Sequence, residues 1–145
     1  MHLVDALARQ KRITPIAMLH EQVCGIAACG YAEYKNDLGV ALVTTGPGGT
    51  NIVTAVASAW IDSVPLLVIS GQVPTNMRMQ YGERQRGPQE VDITGIVSKI
   101  TKVAMTATNA YYAMSRIDLF TQVALNHPRG PVWLDIPLDV QGAEI

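Results

Sequence analysis

Three continuous apolar runs set the strongest limit on how this 145-residue chain can fold. The run "VPLLVISG" (64–71) is too continuously apolar to leave one face of a sheet in water, "GVALVTT" (39–45) is typical of a buried strand, and "VWLDIP" (132–137) predicts the last strand. Segments with helical spacing lie between them. Strands that alternate with helices are joined by right-handed crossovers. The sequence therefore predicts an α/β fold, a mostly parallel sheet with helices on both faces.

Weaker patterns complete the predicted element order. Two further strands are expected at 13–19, "ITPIAML", and at 101–107, "TKVAMTA". Helices are predicted at 20–35, at 50–63 with Val53, Val56, Ala57 and Trp60 on one face, at 90–100, and from the N-cap Asn109 to about 126. Trp60 and Trp133 fall on apolar faces and are predicted to lie in the core.

The chain opens on a helical pattern rather than on a strand. Residues 1–12, "MHLVDALARQKR", predict a helix with Leu3, Val4 and Leu7 facing inward. A protein built of βαβ units rarely begins in this way. We therefore expect residues 1–145 to be one domain that is a truncated fragment and lacks its first strand.

Composition excludes several classes of partner. The formal net charge is -1 and charged residues make up 16% of the chain, which argues against nucleic acid. No apolar run approaches the roughly 18 residues of a membrane span, and no signal peptide is visible. The sequence predicts a cytoplasmic protein. Cys24 and Cys29 show no metal-binding spacing, and we expect them to be buried as small apolar groups.

Polar and glycine-rich segments follow the predicted strands. Glu21, Gly46 to Gly49, and Gly71 to Pro74 each come just after one of them. In an open parallel sheet, ligands bind outside the carboxyl ends of the strands. The loop of residues 71–90 is long for a compact domain, which is typical of a functional loop. These segments predict a ligand site at one edge of the sheet.

Glu21 is the sharpest catalytic candidate at that edge. It emerges from an apolar run and precedes small residues, so partial desolvation would raise its pKa and favour a proton-donating form. An ordinary solvated or helix-capping glutamate is the alternative. His20 precedes it, but adjacent side chains point apart, which favours a structural or surface histidine.

The turn "TTGPGGTN" (44–51) has two mechanisms available. Its backbone N–H groups could bind an anion, or its glycines could let the chain approach a neighbour closely. It lacks the Lys-Ser/Thr of a P-loop and does not read GxGxxG. A tight turn capped by Thr50 or Asn51 is the local alternative. Arg78, Arg84 and Arg86 could meet an anion, although a solvated loop is the simpler interpretation.

Five segments, taken in order and spacing, carry a family resemblance that covers nearly the whole chain. They resemble the N-terminal pyrimidine-binding domain of the acetolactate synthase family of thiamine diphosphate enzymes. The segments are "LHEQ…AACGYA", "LVTTGPGGTN", "DSVPLLVISGQVP", "QEVDITGIVSKITK" and "RGPVWLDIPLDV".

The resemblance implies roles for particular residues. Glu21 matches the family glutamate that hydrogen-bonds N1' of the aminopyrimidine ring, whose imino nitrogen then takes the proton from the thiazolium C2. The substrate is a 2-keto acid such as pyruvate, which is decarboxylated and joined to an acceptor. Thr44, Gly46 and Asn51 match the segment lining the pyrimidine, and Gln89 matches a glutamine near the reacting carbon.

The resemblance also implies what this chain does not supply. In the family a separate C-terminal domain with a GDG…N motif holds the diphosphate and Mg²⁺, usually from the other subunit of a homo-oligomer. No GDG occurs here, and no metal ligands are predicted within the chain. FAD, the oligomer size and a role in branched-chain amino acid biosynthesis stay open.

Departures from the family pattern leave alternatives. Leu19, Val23 and Cys24 differ from the common residues, and "GERQRGPQE" lengthens the loop before Gln89. A thiamine diphosphate-dependent 2-keto acid decarboxylase or oxidase is therefore a second interpretation. A stand-alone, non-catalytic interaction domain of the same fold is a third.

Overall fold

A four-stranded, all-parallel sheet forms the centre of the computed structural model, which describes residues 2–144. The strand order is β1-β2-β4-β3, which places β2 and β4 in the middle. Both central strands are buried along almost their whole length, as their apolar sequences predicted. The predicted parallel α/β fold is confirmed. The strands are β1 (Gly39–Val43), β2 (Leu66–Gln72), β3 (Val103–Thr106) and β4 (Val132–Pro137).

Helices cover both faces of the sheet, as predicted. The first face carries α2 (Glu21–Lys35), α3 (Pro47–Asn51), α4 (Val53–Ile61) and α5 (Ile93–Val97). The second face carries α1 (His2–Arg9), α6 (Ala110–Leu125) and α7 (Leu138–Gln141). The segment between β2 and α5 is a long loop with one short 3-10 helix, Thr75–Met77, which confirms the predicted loop.

The alternation of side chains along the strands divides the interior into two cores. Leu66 and Val68 of β2 face the first core, whereas Leu67 and Ile69 face the second. Trp133 of β4 lies fully buried in the first core, as predicted, and Phe120 of α6 anchors the second. The side chain of Asn109 accepts a hydrogen bond from Tyr112 N, which confirms its role as the N-cap of α6.

The packing of α2 against α4 is unusually close. The buried face of α2 consists of Gly25, Ala28 and Ala32. A methyl group on Gly25 would lie only 2.5 Å from the Cβ of Ala55 in α4. A side chain at this position is therefore excluded by contact between the two helices.

The apolar run at 13–19 is not a strand, contrary to expectation. None of these residues has strand geometry, and Ile16 is 76% exposed. A strand is stable only when a neighbour pairs its backbone groups, and Pro15 removes one of the donors. A β-branched, apolar composition is not sufficient without such a neighbour.

Two predicted helix faces also need correction. Val4 of α1 is 61% exposed, while Leu3 and Leu7 are half-buried. Trp60 is 43% exposed at the end of α4 and is not core. The predicted helix at 50–63 begins earlier, at Pro47, and is interrupted at Ile52. The buried face consists of Ile52, Ala55, Val56 and Ala59, and Val53 and Ala57 are half-buried.

The cysteines are less buried than predicted. Cys24 and Cys29 are both free thiols of intermediate exposure that pack against the rim of the first core. Burial, with Glu33 and Asp62 nearby, raises the pKa of Cys29 to about 11. Such a thiol is a poor nucleophile at neutral pH.

Truncation of Phe120 tests the second core. Phe120→Ala is expected to lower the free energy of unfolding by about 3 to 5 kcal/mol, because it leaves a cavity where the ring was fully buried. Leu119→Ala, at the adjacent and 40% exposed position, is the control, with an expected loss below about 1 kcal/mol. Urea unfolding measures both, and similar losses would contradict this assignment of the core.

Candidate functional site

Glu21 and Asn51 form the central contact of the candidate site. Glu21 is the first residue of α2, and Asn51 is the last residue of α3. The Asn51 side-chain amide donates a hydrogen bond of 3.0 Å to Glu21 Oε2. His20 is the N-cap of α2, where its Nδ1 accepts a bond from Gln22 N at 3.1 Å. His20 therefore has a structural role, as expected, and does not pair with Glu21.

The pKa of Glu21 is lowered, whereas the sequence predicted a raised value. The hydrogen bond from Asn51 stabilises the charged form and is the main cause, while burial acts weakly in the opposite direction. The prediction failed because it assumed a buried strand before Glu21. In the structure that segment is exposed, and Glu21 itself is only half-buried.

The glycine-rich turn starts a helix earlier than predicted. Gly46 is the N-cap of α3 with φ 58° and ψ -116°, and Pro47 occupies the first turn. The Thr50 hydroxyl donates to the Pro47 carbonyl, and the Asn51 amide reaches Glu21. Neither residue caps the helix, so the predicted cap is wrong. The turn instead uses its glycines for close approach.

That close approach joins two distant parts of the chain. A methyl group on Gly46 would lie 2.2 Å from the backbone oxygen of Gln89. Gln89 itself has a positive φ of 58° and an exposed side chain. Gly46 is therefore required both for its own dihedral angle and for the passage of the Gln89 segment beside it.

All five predicted site residues lie at the same edge of the sheet. Thr44 follows β1, and a methyl group on Gly48 would touch the Thr44 methyl at 2.6 Å and lie 3.5 Å from Glu21 Oε1. Thr44 and Asn51 are exposed. The structure thus brings Glu21, Thr44, Gly46, Asn51 and Gln89 together through direct contacts or adjacent turns.

The long loop is organised by a carboxylate that the sequence did not single out. Glu90 is 6% exposed, and its two oxygens accept backbone hydrogen bonds from Met79, Arg86 and Gly87. Burial alone would raise the pKa of Glu90, but these bonds outweigh it and hold the pKa below its usual value. Its position beside Gln89 was the only signal available.

Beside this loop is an open cavity of about 460 Å³ whose lining includes Gln72, Arg78 and Glu90. Arg84 and Arg86 are exposed, and Arg86 pairs with Glu83 at 2.7 Å, which agrees with a solvated loop.

Within residues 2–144, no helix combines the length and the apolar composition that a membrane span needs.

Comparison with known proteins defines the family. Residues 1–96 match the sequence model of a protein family described as "thiamine pyrophosphate enzyme, N-terminal TPP binding domain". The chain therefore belongs to this family of thiamine pyrophosphate enzymes, which confirms the resemblance found in the sequence.

Several relatives that match nearly the whole chain are acetolactate synthases. The chain is 38% identical over 141 residues to the acetolactate synthase large subunit of Corynebacterium glutamicum, covering 97% of this chain and 22% of that protein. It is 40% identical over 139 residues to the isozyme 1 large subunit of Escherichia coli, covering 96% and 24%. The mitochondrial catalytic subunit of Saccharomyces cerevisiae is 36% identical, with 96% and 20% covered. The chain thus spans about a fifth to a quarter of the length of these relatives.

Removal of the Asn51 amide tests the electrostatics of the site. Asn51→Ala is expected to raise the pKa of Glu21, because the bond that chiefly stabilises its charged form is lost. Thr50→Ala is the control, since the Thr50 hydroxyl bonds Pro47 and not Glu21. A carboxyl-carbon NMR titration gives the pKa in each protein, and an unchanged value in Asn51→Ala would refute the contact.

A pair of glycine substitutions tests the approach of Gln89. Gly46→Ala and Gly82→Ala both place a side chain at positive φ, which costs about 1 to 3 kcal/mol. A methyl group at Gly82 meets nothing within 4 Å, whereas at Gly46 it meets the Gln89 backbone. Gly46→Ala should therefore destabilise the fold more than Gly82→Ala in urea unfolding. Equal losses would show that the contact is unimportant.

Proposed function

We propose that this chain is the pyrimidine-binding half of an acetolactate synthase-like, thiamine diphosphate-dependent enzyme that decarboxylates pyruvate or another 2-keto acid and joins the product to an acceptor. The contact between Glu21 and Asn51, at the edge where the glycine turn meets Gln89, is the observation that carries this proposal. Membership of the family and the similarity to acetolactate synthases support it.

The residues present fit one end of the cofactor. Glu21 is half-buried, and Thr44 and Asn51 are exposed beside it, so a flat ring can reach the carboxyl group. Gly46 and Gly48 lie against Gln89 and Thr44, which packs the glycine turn closely beside these two residues. When bound, thiamine diphosphate supplies the nucleophilic carbon and the electron sink that decarboxylation needs.

Each residue then has a defined task. Glu21 would hydrogen-bond N1' of the aminopyrimidine and hold a proton at that atom. Asn51 fixes the direction of the Glu21 carboxyl group through its hydrogen bond. Thr44 and Gly46 would line the pyrimidine, and the exposed Gln89 side chain would lie near the reacting carbon.

The outer face of α2 supports assembly into a homo-oligomer. Val23, Ile26, Tyr31 and Tyr34 are all more than half exposed on the helix that begins with Glu21. Several large apolar side chains exposed on one helix favour an interaction site there. A second subunit on this face would complete the site at the interface and, by removing water, would raise the pKa of Glu21.

Further parts of the proposal concern the rest of the enzyme. Mg²⁺ and the diphosphate would be held by a C-terminal domain of the partner subunit, and residues 1–145 would be a fragment of that longer chain. The proposal includes a cytoplasmic location and leaves FAD open.

Sequencing the DNA on both sides of this reading frame tests whether residues 1–145 belong to a longer enzyme. A continuation with GDG and a downstream Asn is expected, whereas flanking stop codons would favour a non-catalytic interaction domain.

Glu21→Gln in the complete protein tests the mechanism. Exchange of the C2 proton on bound thiamine diphosphate is expected to fall by at least about a hundredfold, as for loss of a general acid–base group. Glu33→Gln, at an exposed position on the same helix, is the matched control and should leave exchange unchanged. Proton exchange is followed by NMR after acid quench.

The same comparison separates the alternatives. An unchanged rate of C2 proton exchange in Glu21→Gln would contradict the proposed role of Glu21. If wild-type protein forms an aldehyde from pyruvate and no acetolactate, the decarboxylase interpretation replaces the carboligase. If it neither binds the cofactor nor turns over a 2-keto acid, the interaction-domain interpretation replaces both.

A further inference from the structure

A buried carboxylate, Asp135, lies beneath the candidate site and takes no part in the function proposed above. It is 1% exposed, on the same side of β4 as Trp133. Burial raises the pKa of Asp135, although hydrogen bonds from neighbouring side chains act to lower it. Burying an ionisable group is unfavourable unless it is well bonded. Its presence in an apolar strand therefore points to a task that an apolar residue could not perform.

Asp135 joins the carboxyl ends of three strands. Its Oδ1 accepts from the Ser70 hydroxyl at 2.5 Å. Its Oδ2 accepts from Gln72 Nε2 at 3.1 Å and from the Thr106 hydroxyl at 3.2 Å. Trp133 Nε1 donates to the Ser70 oxygen at 2.8 Å, which leaves the Ser70 hydrogen to point at Asp135.

Gln72 extends this network to the two loops of the candidate site. Its Nε2 also donates to the Val91 carbonyl at 3.2 Å. Its Oε1 accepts from the Thr45 hydroxyl at 3.0 Å and from Val73 N at 2.9 Å. Thr45 lies between Thr44 and Gly46, and Val91 follows Gln89 by two positions. One amide group therefore connects both loops to Asp135.

We propose that Asp135 is a positioning residue that acts through Gln72 to hold residues 44–49 and 87–92 in the arrangement that places Gln89 beside Gly46. It touches neither cofactor nor substrate. The inference rests on the proposed function only in assigning these two segments to the pyrimidine site.

The chemistry of the network explains why a carboxylate is required. Gln72 cannot turn its amide over, because Val73 N–H can only donate and Val91 C=O can only accept. An asparagine at 135 would direct its NH₂ group either at Gln72 Nε2, where one donor would face another, or at Ser70, whose hydroxyl hydrogen would then lose its acceptor. Asp135→Asn thus disrupts the network without leaving a cavity.

Hydrogen exchange of backbone amides in the cofactor-free protein tests the inference. In Asp135→Asn, exchange is expected to become roughly threefold to tenfold faster in both segments, 44–49 and 87–92, as for loss of one or two buried hydrogen bonds. Thr101→Val is the control, since it removes a buried hydroxyl that bonds Val97 O at 2.9 Å near the start of β3. Unchanged exchange in both segments of Asp135→Asn would overturn the proposal.

A double variant distinguishes this relay, the connection from Asp135 through Gln72 to the two segments, from a general loss of stability. Asp135 and Thr45 each bond Gln72, so in Asp135→Asn/Thr45→Val the acceleration of 44–49 should be smaller than the product of the single effects. Asp135→Asn/Thr101→Val should show the simple product. A simple product in both pairs would contradict the relay. If Asp135→Asn does not fold, Ser70→Ala removes one donor to Asp135 and should accelerate the same segments by a smaller factor; no acceleration would overturn the proposal.

Calorimetric binding of thiamine diphosphate to the complete protein separates the two proposals. Asp135→Asn is expected to bind roughly tenfold more weakly than wild type, with Thr101→Val unchanged. Equal affinity of wild type and Asp135→Asn would break the link between the network and the site. A wild-type protein that binds no cofactor would contradict the proposed function instead, and the exchange measurements would still decide the role of Asp135.

Discussion

Parallel pairing of the four strands is the constraint on which the site depends. The register places Val43, Ser70, Asp135 and Thr106 in one row across the sheet. Because the strands are parallel, the segments that follow them all leave the sheet at the same edge, the carboxyl ends of the strands. The glycine turn after β1 and the long loop after β2 are neighbours for that reason, although they are far apart in sequence.

Helix packing then brings the glutamate to this edge. Gly25 lets α2 approach α4 more closely than any side chain would permit, and the start of α2 comes to lie beside the end of α3. Two separate structural features therefore form the site. The strand register positions the turn and the loop, and the close contact between α2 and α4 positions Glu21.

Local pattern was sufficient to predict most of the framework. The central strands were visible because a strand buried on both faces has no polar alternation, and Asn109 was visible because capping uses a short polar side chain. The five candidate residues were named from motifs, and the structure shows all five in loops or at helix ends, where motif residues are expected to lie. Their roles toward a cofactor stay predictions.

What the sequence could not reveal depends on contacts between distant residues. The segment 13–19 has the composition of a strand, but pairing decides its structure, and no strand pairs with it in the part of the chain described. The pKa of Glu21 depends on Asn51, thirty positions away. Asp135 looked like one polar residue in an apolar run, and only the register shows the three donors around it.

The buried Glu90 carboxylate makes the shape of the long loop dependent on acidity. Its pKa is lower in the folded protein than in the unfolded chain, so the unfolded state binds the proton more readily. The charged group therefore stabilises the loop above its unfolded pKa, and this stabilisation is lost as the pH falls through the folded value. Protonation removes the charge to which three backbone N–H groups are directed. In an acidic medium the Gln89 segment would therefore be held less firmly.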